Sequence, residues 1–473
     1  MDALESDRPL EASALTIAVV GSGSPQWAPK LMNDLALWED SAGEVRLYDL
    51  DHDSAAENAR LGALVQEQDE AVGDWHYEAT DSLVGALDGA DVVVCSTQDP
   101  PEETMVHDLE VPAEYGVYQT VGDTVGPGGT FRAMRAIPQY REIAAAIREN
   151  APDAWVLNYT NPMSVCTRTL FEEYPDINAL GLCHEVYNAK NYLASIVRKH
   201  LGVEAEDADI EVNVKGINHF TWVDEVRYQG RDLTDVLDAE LAVLEPLGEC
   251  DPEALADASH NVDNQQITFH LYRRFGVLPA AGDRHLAEFV PWYLNVDDPA
   301  AIRHWGIRRT SSEYRLDHWP EGEARRRAYL DGTEPFEFED TGEKLVDVIR
   351  ALAGEEPLTL NANLPNRGQI PDLPTGAIVE ANARLAADSC TPLAAGSLPR
   401  QVRSRVSTHV ANQETLVEAG FAGDLDRAYR AFLADPLMTL PASNARALFA
   451  DMVAAERDYL DAWDLDGAVV LDE

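Results

Sequence analysis

Short apolar runs alternate with amphipathic stretches over the first 180 residues, at the spacing of a strand–helix alternation. Leu15 to Val20 is an apolar run that ends on Gly21-Ser22-Gly23-Ser24. A helical pattern follows over about 31–38, then a strand over 45–48 that ends on Asp49. The alternation goes on with a helix near 53–70, a strand at 75–79, a helix at 82–88 and a strand at 92–96. Beyond a long connection come a helix over 130–149, a strand at 155–159, a helix at 162–173 and a strand at 177–183. Strands separated by helices in this way predict an α/β fold with a doubly wound parallel sheet.

From residue 210 the pattern changes. Two strands, 210–214 and 220–227, flank Gly216-Ile217-Asn218-His219, and helical stretches follow near 231–245, 263–275, 341–353, 401–419, 424–434 and 443–463. At 473 residues the chain is too long for one ordinary core. It is expected to divide into a flexible tail at 1–14, a nucleotide-type domain at 15–199 and an α-rich α+β domain at 200–473. The connection from Thr97 to Thr130 is expected to be an ordered loop, with Gly122 to Gly129 too glycine-rich for a regular element.

Gly21 and Gly23 let backbone approach a pyrophosphate, Ser24 lies at the mouth of the following helix, and that helix offers unpaired N–H donors. Asp49, at the tip of the next strand, suits ribose hydroxyls, which favours NAD over its phosphorylated form. The N-terminal half therefore reads as Rossmann-like, as in lactate and malate dehydrogenases.

Charge narrows the partners. Lys+Arg number 36 against 84 Asp+Glu, a formal charge of −48, which repels nucleic acid and anionic membranes. The acidic residues are dispersed, and lysine is limited to Lys30, Lys190, Lys199, Lys215 and Lys344. Such a surface fits a salt-rich, halophilic cytoplasm, where ions screen the repulsion. No run of eighteen apolar residues and no basic apolar leader occurs, so a cytoplasmic protein with neither span nor signal peptide is expected. The five cysteines, at 95, 166, 183, 250 and 390, show no paired spacing.

The groups with chemical potential cluster at expected strand ends. Cys183-His184-Glu185 closes one strand, and His219 lies in a Gly-Ile-Asn-His turn, so Cys183 and His219 read as metal ligands with His184 as a substrate contact. Each taken alone is equally a buried small residue or a satisfied histidine. Asp123 sits in the glycine loop as a proton donor or acceptor, or as a turn former. Asp283 and Arg284 in Gly-Asp-Arg-His are either site residues or a helix cap, and capping needs only Asp283. Asn158 and Asn161 suit sugar hydroxyls or the opening of the helix at Pro162.

In order along the chain stand GSGS, QTVGDTVGPGG, NYTNPMS, GLCHEV, GINHFTW, GDRH and NLPNRGQIPDLPTGAIVE. Over about residues 15 to 460 this series resembles family 4 glycoside hydrolases, glycosidases that depend on NAD and a divalent metal. Cys183-His184-Glu185-Val186 is similar to the α-galacturonidase version of the metal motif. The resemblance implies NAD-assisted oxidation at C3 of the sugar, C2 deprotonation, elimination, water addition and re-reduction. It implies Mn²⁺ held by Cys183 and His219, Asp283 as the C2 base and Asp123 as the acid at the leaving oxygen. It also implies a small oligosaccharide or galacturonide as substrate and a homo-oligomer, dimer or tetramer. Arg284, with His285, Arg132 or Arg367, is expected to pair the C6 carboxylate. The alternatives are an α-galactosidase or α-glucosidase of the same family, or a lactate/malate-type dehydrogenase.

Overall fold

A computed structural model describes residues 3–98, 103–255, 263–339 and 341–472. The N-terminal tip (1–2) and four residues of the expected loop (99–102) lie outside the described residues. The strands are β1 (Leu4–Glu5), β2 (Leu15–Val20), β3 (Ala42–Tyr48), β4 (Asp74–Ala79), β5 (Val92–Cys95), β6 (Trp155–Asn158) and β7 (Asn178–Gly181). The later strands are β8 (Ile210–Ile217), β9 (Phe220–Tyr228), β10 (Arg231–Asp232), β11 (Leu278–Pro279), β12 (Leu358–Pro365), β13 (Ile378–Ala386) and β14 (Ser389–Pro392). Helices α1 (Trp27–Ala36), α2 (His52–Gln66), α3 (Leu83–Leu87), α4 (Glu103–Glu114), α5 (Gly126–Asn150), α6 (Met163–Glu173) and α7 (Glu185–Leu201) accompany the first half. The second half adds α8 (Thr234–Leu244), α9 (Gln266–Phe275), α10 (Asp283–Phe289), α11 (Ser312–Leu330), α12 (Leu345–Leu352), α13 (Arg400–Ala422), α14 (Leu425–Ala434) and α15 (Ala442–Ala455).

The six strands β4-β3-β2-β5-β6-β7 lie side by side, every pair parallel. This is the doubly wound α/β order, with its switch point between β2 and β5, where such sheets place ligands. Ile17, Val19, Val45, Val92 to Val94 and Trp155 to Leu157 are fully buried, as strands covered on both faces require.

The sheet does not stop at β7. Asn363 of β12 pairs antiparallel with Gly181, β13 pairs β12 along its length, and β8 and β9 follow. Helix α12 and parts of β12 and β13 bury their apolar residues in the same core as the parallel strands. Sequence distance therefore does not separate residues 345–385 from the nucleotide-type half. Of the expected 1–14 tail, the described residues 3–14 are docked: Leu4 and Leu10 are buried, and Leu4–Glu5 pairs with β14. Isolated leucines in an acidic stretch give no periodicity, so that docking could not be read locally.

The glycine-rich loop is also corrected. Gly126 to Gly129 form the first turn of α5, and α4 fills much of the expected loop. A Cβ on Gly129 would lie 2.4 Å from the carbonyl carbon of Thr124, and one on Gly128 would lie 2.8 Å from Asp108 O. The glycines permit close packing of a helix start against the 120–124 turn, which outweighs their poor helix propensity. Among the described residues, no helix is long and apolar enough to cross a membrane.

Candidate active site

A cavity of about 720 Å³ opens at the carboxyl ends of the sheet strands, bounded by the 121–123 turn, the start of α7, α9, α10 and α11. Asp123, Arg132, His184, Glu185, Arg284 and His285 line it. At its wall the side chains of Asp123, His219 and His285 bring one ligand atom each within 4.8 Å of one another. The two imidazoles stack at 3.8 Å between ring centres, and His285 Nδ1 lies 3.9 Å from Asp123.

Each member arrives by a different local device. His219 occupies the tight turn between β8 and β9 with φ +62°, the left-handed conformation that short hairpin loops use and that histidine adopts more readily than most side chains. His285 lies in the first turn of α10. Asp123 stands just beyond three residues, Thr120 to Gly122, whose backbone N–H groups all donate to Glu288 Oε1 at 2.7, 2.7 and 2.9 Å. Glu288 is fully buried in the same helix as His285, so one carboxylate fixes the loop of Asp123 to the helix of His285. Burial, then the charge of Asp123, pushes Glu288 up to about 7 against those donors.

Asp123 accepts from Thr124 Oγ1 at 2.7 Å and from Asn161 Nδ2 at 3.2 Å. Burial alone would raise its pKa, but His285, His219 and Arg132 together hold it well below the usual carboxylate range. At rest Asp123 is thus a carboxylate. Burial, then the neighbouring His285, depresses His219 to about 3, so its ring is neutral and able to ligate.

Several expected site residues are placed otherwise. Asp283 is fully buried, and its carboxylate accepts from Ile267 N, Thr268 N and Thr268 Oγ1 at 3.1, 2.8 and 2.8 Å. It satisfies the open N–H groups at the start of α9 and does not line the cavity, so the base role is withdrawn. Asn158 is also fully buried, bonded to Tyr140 Oη, Thr160 and Thr167. With its amide committed inside the sheet edge, it is no sugar contact. Arg367 donates to Ala3 O, away from the cavity.

Cys183, the other expected ligand, lies against the turn that carries His219. Its thiol rests beside Asn218, with Glu380 and Glu185 near, and it is not part of the Asp123–His219–His285 set. Burial pushes the thiol well up, and the two carboxylates add to this. The other positions keep their place: His184 is exposed at the rim, and Asn161 bridges Asp123 and Arg132, whose Nε donates to Asn161 O at 3.0 Å. Arg284 lines the cavity but spends Nη2 on Thr120 O and Thr310 Oγ1. Glu185 is a partner that residue type alone did not single out. Its Oε2 accepts from Gly282 N, and its Oε1 lies 4.0 Å from His285.

At the nucleotide turn, Gly21 has φ +88°, and a Cβ there would lie 2.4 Å from Ser96 O. Asp49 Oδ2 accepts from Gly23 N at 2.7 Å, and Ser24 Oγ accepts from Trp27 N at 3.0 Å, starting α1. Ser22 Oγ is buried without a hydrogen-bond partner. A tight turn with an orphaned buried hydroxyl suits a bound dinucleotide.

The profile of the family 4 glycosyl hydrolases matches residues 16–199, and that of their C-terminal domain matches 214–438. An alpha-galacturonidase of Thermoanaerobacterium saccharolyticum is 42% identical, covering 95% of this chain and 97% of its own. A Bacillus subtilis alpha-galactosidase is 30% identical over 94% of this chain and 98% of its own. A Bacillus subtilis crystal structure named for glucosidase activity superposes with a TM-score of 0.87 at 40% identity, covering 93% of this chain and all of that one. A 6-phospho-alpha-glucosidase from gut microorganisms, solved with NAD and Mn²⁺, shares the fold at 20% identity, with a TM-score of 0.77 over 96% of this chain and 99% of its own.

Proposed function

The chain belongs to family 4 of the glycosyl hydrolases, and on that premise we propose that it removes terminal α-linked galacturonic acid from small oligosaccharides. The observation that carries the reading is the cavity that joins Asp123 and His285, both clustered with the buried His219, to Arg132 and Arg284. Two arginines at one cavity supply the guanidinium groups that a uronate carboxylate requires. The 42% identity to an alpha-galacturonidase supports the same substrate.

Gly21, Ser22, Gly23 and Asp49 would hold NAD, and His219 with Cys183 would supply the donors for a divalent cation such as Mn²⁺. When bound, the two supply reversible hydride transfer at C3 of the sugar and polarisation of the oxygen formed there. The protein's own part is positioning and proton transfer. His285 Nδ1 lines the cavity beside Asp123 and takes the place assigned to Asp283 as acceptor of the C2 proton. The proton that His285 accepts passes to the adjacent Asp123, which delivers it to the leaving oxygen, and Asn161 holds that carboxylate in place. Arg132 and Arg284 orient the C6 carboxylate, with His184 at the rim. We place the enzyme in a salt-rich cytoplasm as a dimer or tetramer.

The test is a panel of p-nitrophenyl α-glycosides with NAD and Mn²⁺. The galacturonide is expected to be cleaved fastest, with loss of activity in EDTA and no net NADH. Preference for the galactoside would transfer the reading to the neutral-sugar branch. Stoichiometric NADH without glycoside cleavage would replace it with a dehydrogenase.

A further inference from the structure

His219 and Asp123 are not merely close; a single hydroxyl joins them. Thr124 Oγ1 lies 2.7 Å from Asp123 Oδ1 and 2.8 Å from His219 Nδ1, and Thr124 is buried. A threonine hydroxyl carries one hydrogen and can accept at its lone pairs. Asp123 also takes a hydrogen bond from Asn161 and faces Arg132, so it is an acceptor. The hydroxyl hydrogen therefore points at Asp123, and the lone pairs of Thr124 face the imidazole. An imidazole nitrogen that meets a lone pair must carry the proton itself. Nδ1 of His219 is then protonated, and Nε2 keeps its lone pair.

We propose that Thr124 is a positioning residue that sets the tautomer of His219, so that Nε2 is the nitrogen offered to the divalent cation. The inference rests on the metal-dependent reading above. Its physical basis is the general behaviour of ligating histidines, whose second nitrogen donates to an acceptor that fixes ring orientation and basicity. Here the acceptor is a hydroxyl, itself polarised by a carboxylate. The relay also ties the loop of Asp123 to the β8–β9 turn that carries His219.

The matched variants are Thr124→Val, which keeps the shape and removes the hydroxyl, and Thr124→Ser, which restores it. Mn²⁺ binding is measured by electron paramagnetic resonance of the free ion, without substrate or NAD. Thr124→Val is expected to weaken binding roughly 10- to 100-fold, with Thr124→Ser close to the parent and both folded by circular dichroism. Equal Mn²⁺ affinity in Thr124→Val and the parent overturns the inference. Failure of the parent itself to bind Mn²⁺ instead overturns the metal-dependent reading. Should the valine variant not fold, ¹⁵N chemical shifts of the parent's imidazoles decide, with His219 assigned through His219→Asn. A protonated Nδ1 supports the relay, and a protonated Nε2 refutes it.

Discussion

Replacing Glu288 by alanine should be the most damaging single change outside the cavity lining. One oxygen of this fully buried carboxylate accepts from Thr120, Val121 and Gly122. Truncation leaves three buried N–H groups without a partner, each worth about 1–3 kcal/mol when unsatisfied. Water entering the space recovers part of this, so a net loss of about 3–6 kcal/mol is expected. That is a large share of a typical stability of roughly 5–15 kcal/mol. The damage should also be local, because the freed turn precedes Asp123. Urea unfolding monitored by tryptophan fluorescence gives the global loss, and hydrogen exchange gives the amides of 120–122. Those three amides should pass from among the slowest in the cavity wall to fast exchange, and the rate of glycoside cleavage should fall with them. A Glu288→Ala protein within about 1 kcal/mol of the parent, or one whose 120–122 amides stay protected, would refute the reasoning.

Arg135 is buried between Asp108 and Glu456, and burial, then the charge of Asp108, raises Glu456 to about 8, so Arg135→Met should cost about 3–5 kcal/mol at neutral pH by stranding the buried Asp108 carboxylate; a loss under about 1 kcal/mol in urea unfolding would contradict this. Glu380 is buried against Asn361, and burial raises it to about 7. Its raised value means that the contribution to stability is complete below the unfolded carboxyl pKa, near 4.5, and is lost as pH rises through 7. Glu380→Gln should flatten that decline in the metal-free protein, an effect of up to roughly 3 kcal/mol between pH 5 and 8, and parallel pH–stability curves would rule it out. Because the net charge is −48, the urea midpoint should rise between about 0.05 M and about 2 M KCl as repulsion is screened; an unchanged midpoint would show that the acidic surface costs the fold nothing.

Some of this site was legible along the chain because its signals are local. The run from Leu15 through Gly21 and Gly23 to Asp49 carries strand, turn, helix and acidic tip within one unit, and the structure keeps that order. The same holds for the alternation through Gly181 and for the series of motifs that links Asp123, Asn161, His219 and His285 to one family. The ambiguity at Asp283 was legible as well. Asp283 does not cap the helix it opens, whose N-cap is Gly282, but accepts from the N–H groups at the start of α9, which lie beside it while the cavity does not.

What composition and periodicity settled about this protein is its class, its parallel sheet and the residue types available for chemistry, since each follows from neighbours in sequence. Which of those residues meet was decided only by tertiary packing. Residues 345–385 enter the core of the N-terminal sheet, and Glu288 reaches a turn some 166 positions earlier. The tight turn that carries His219 is brought against Asp123, while Asn158 turns inward and is spent on Tyr140 and Thr167. The physical reason is the same in each case. A buried polar group must find partners wherever the fold supplies them, and those partners are distant in sequence.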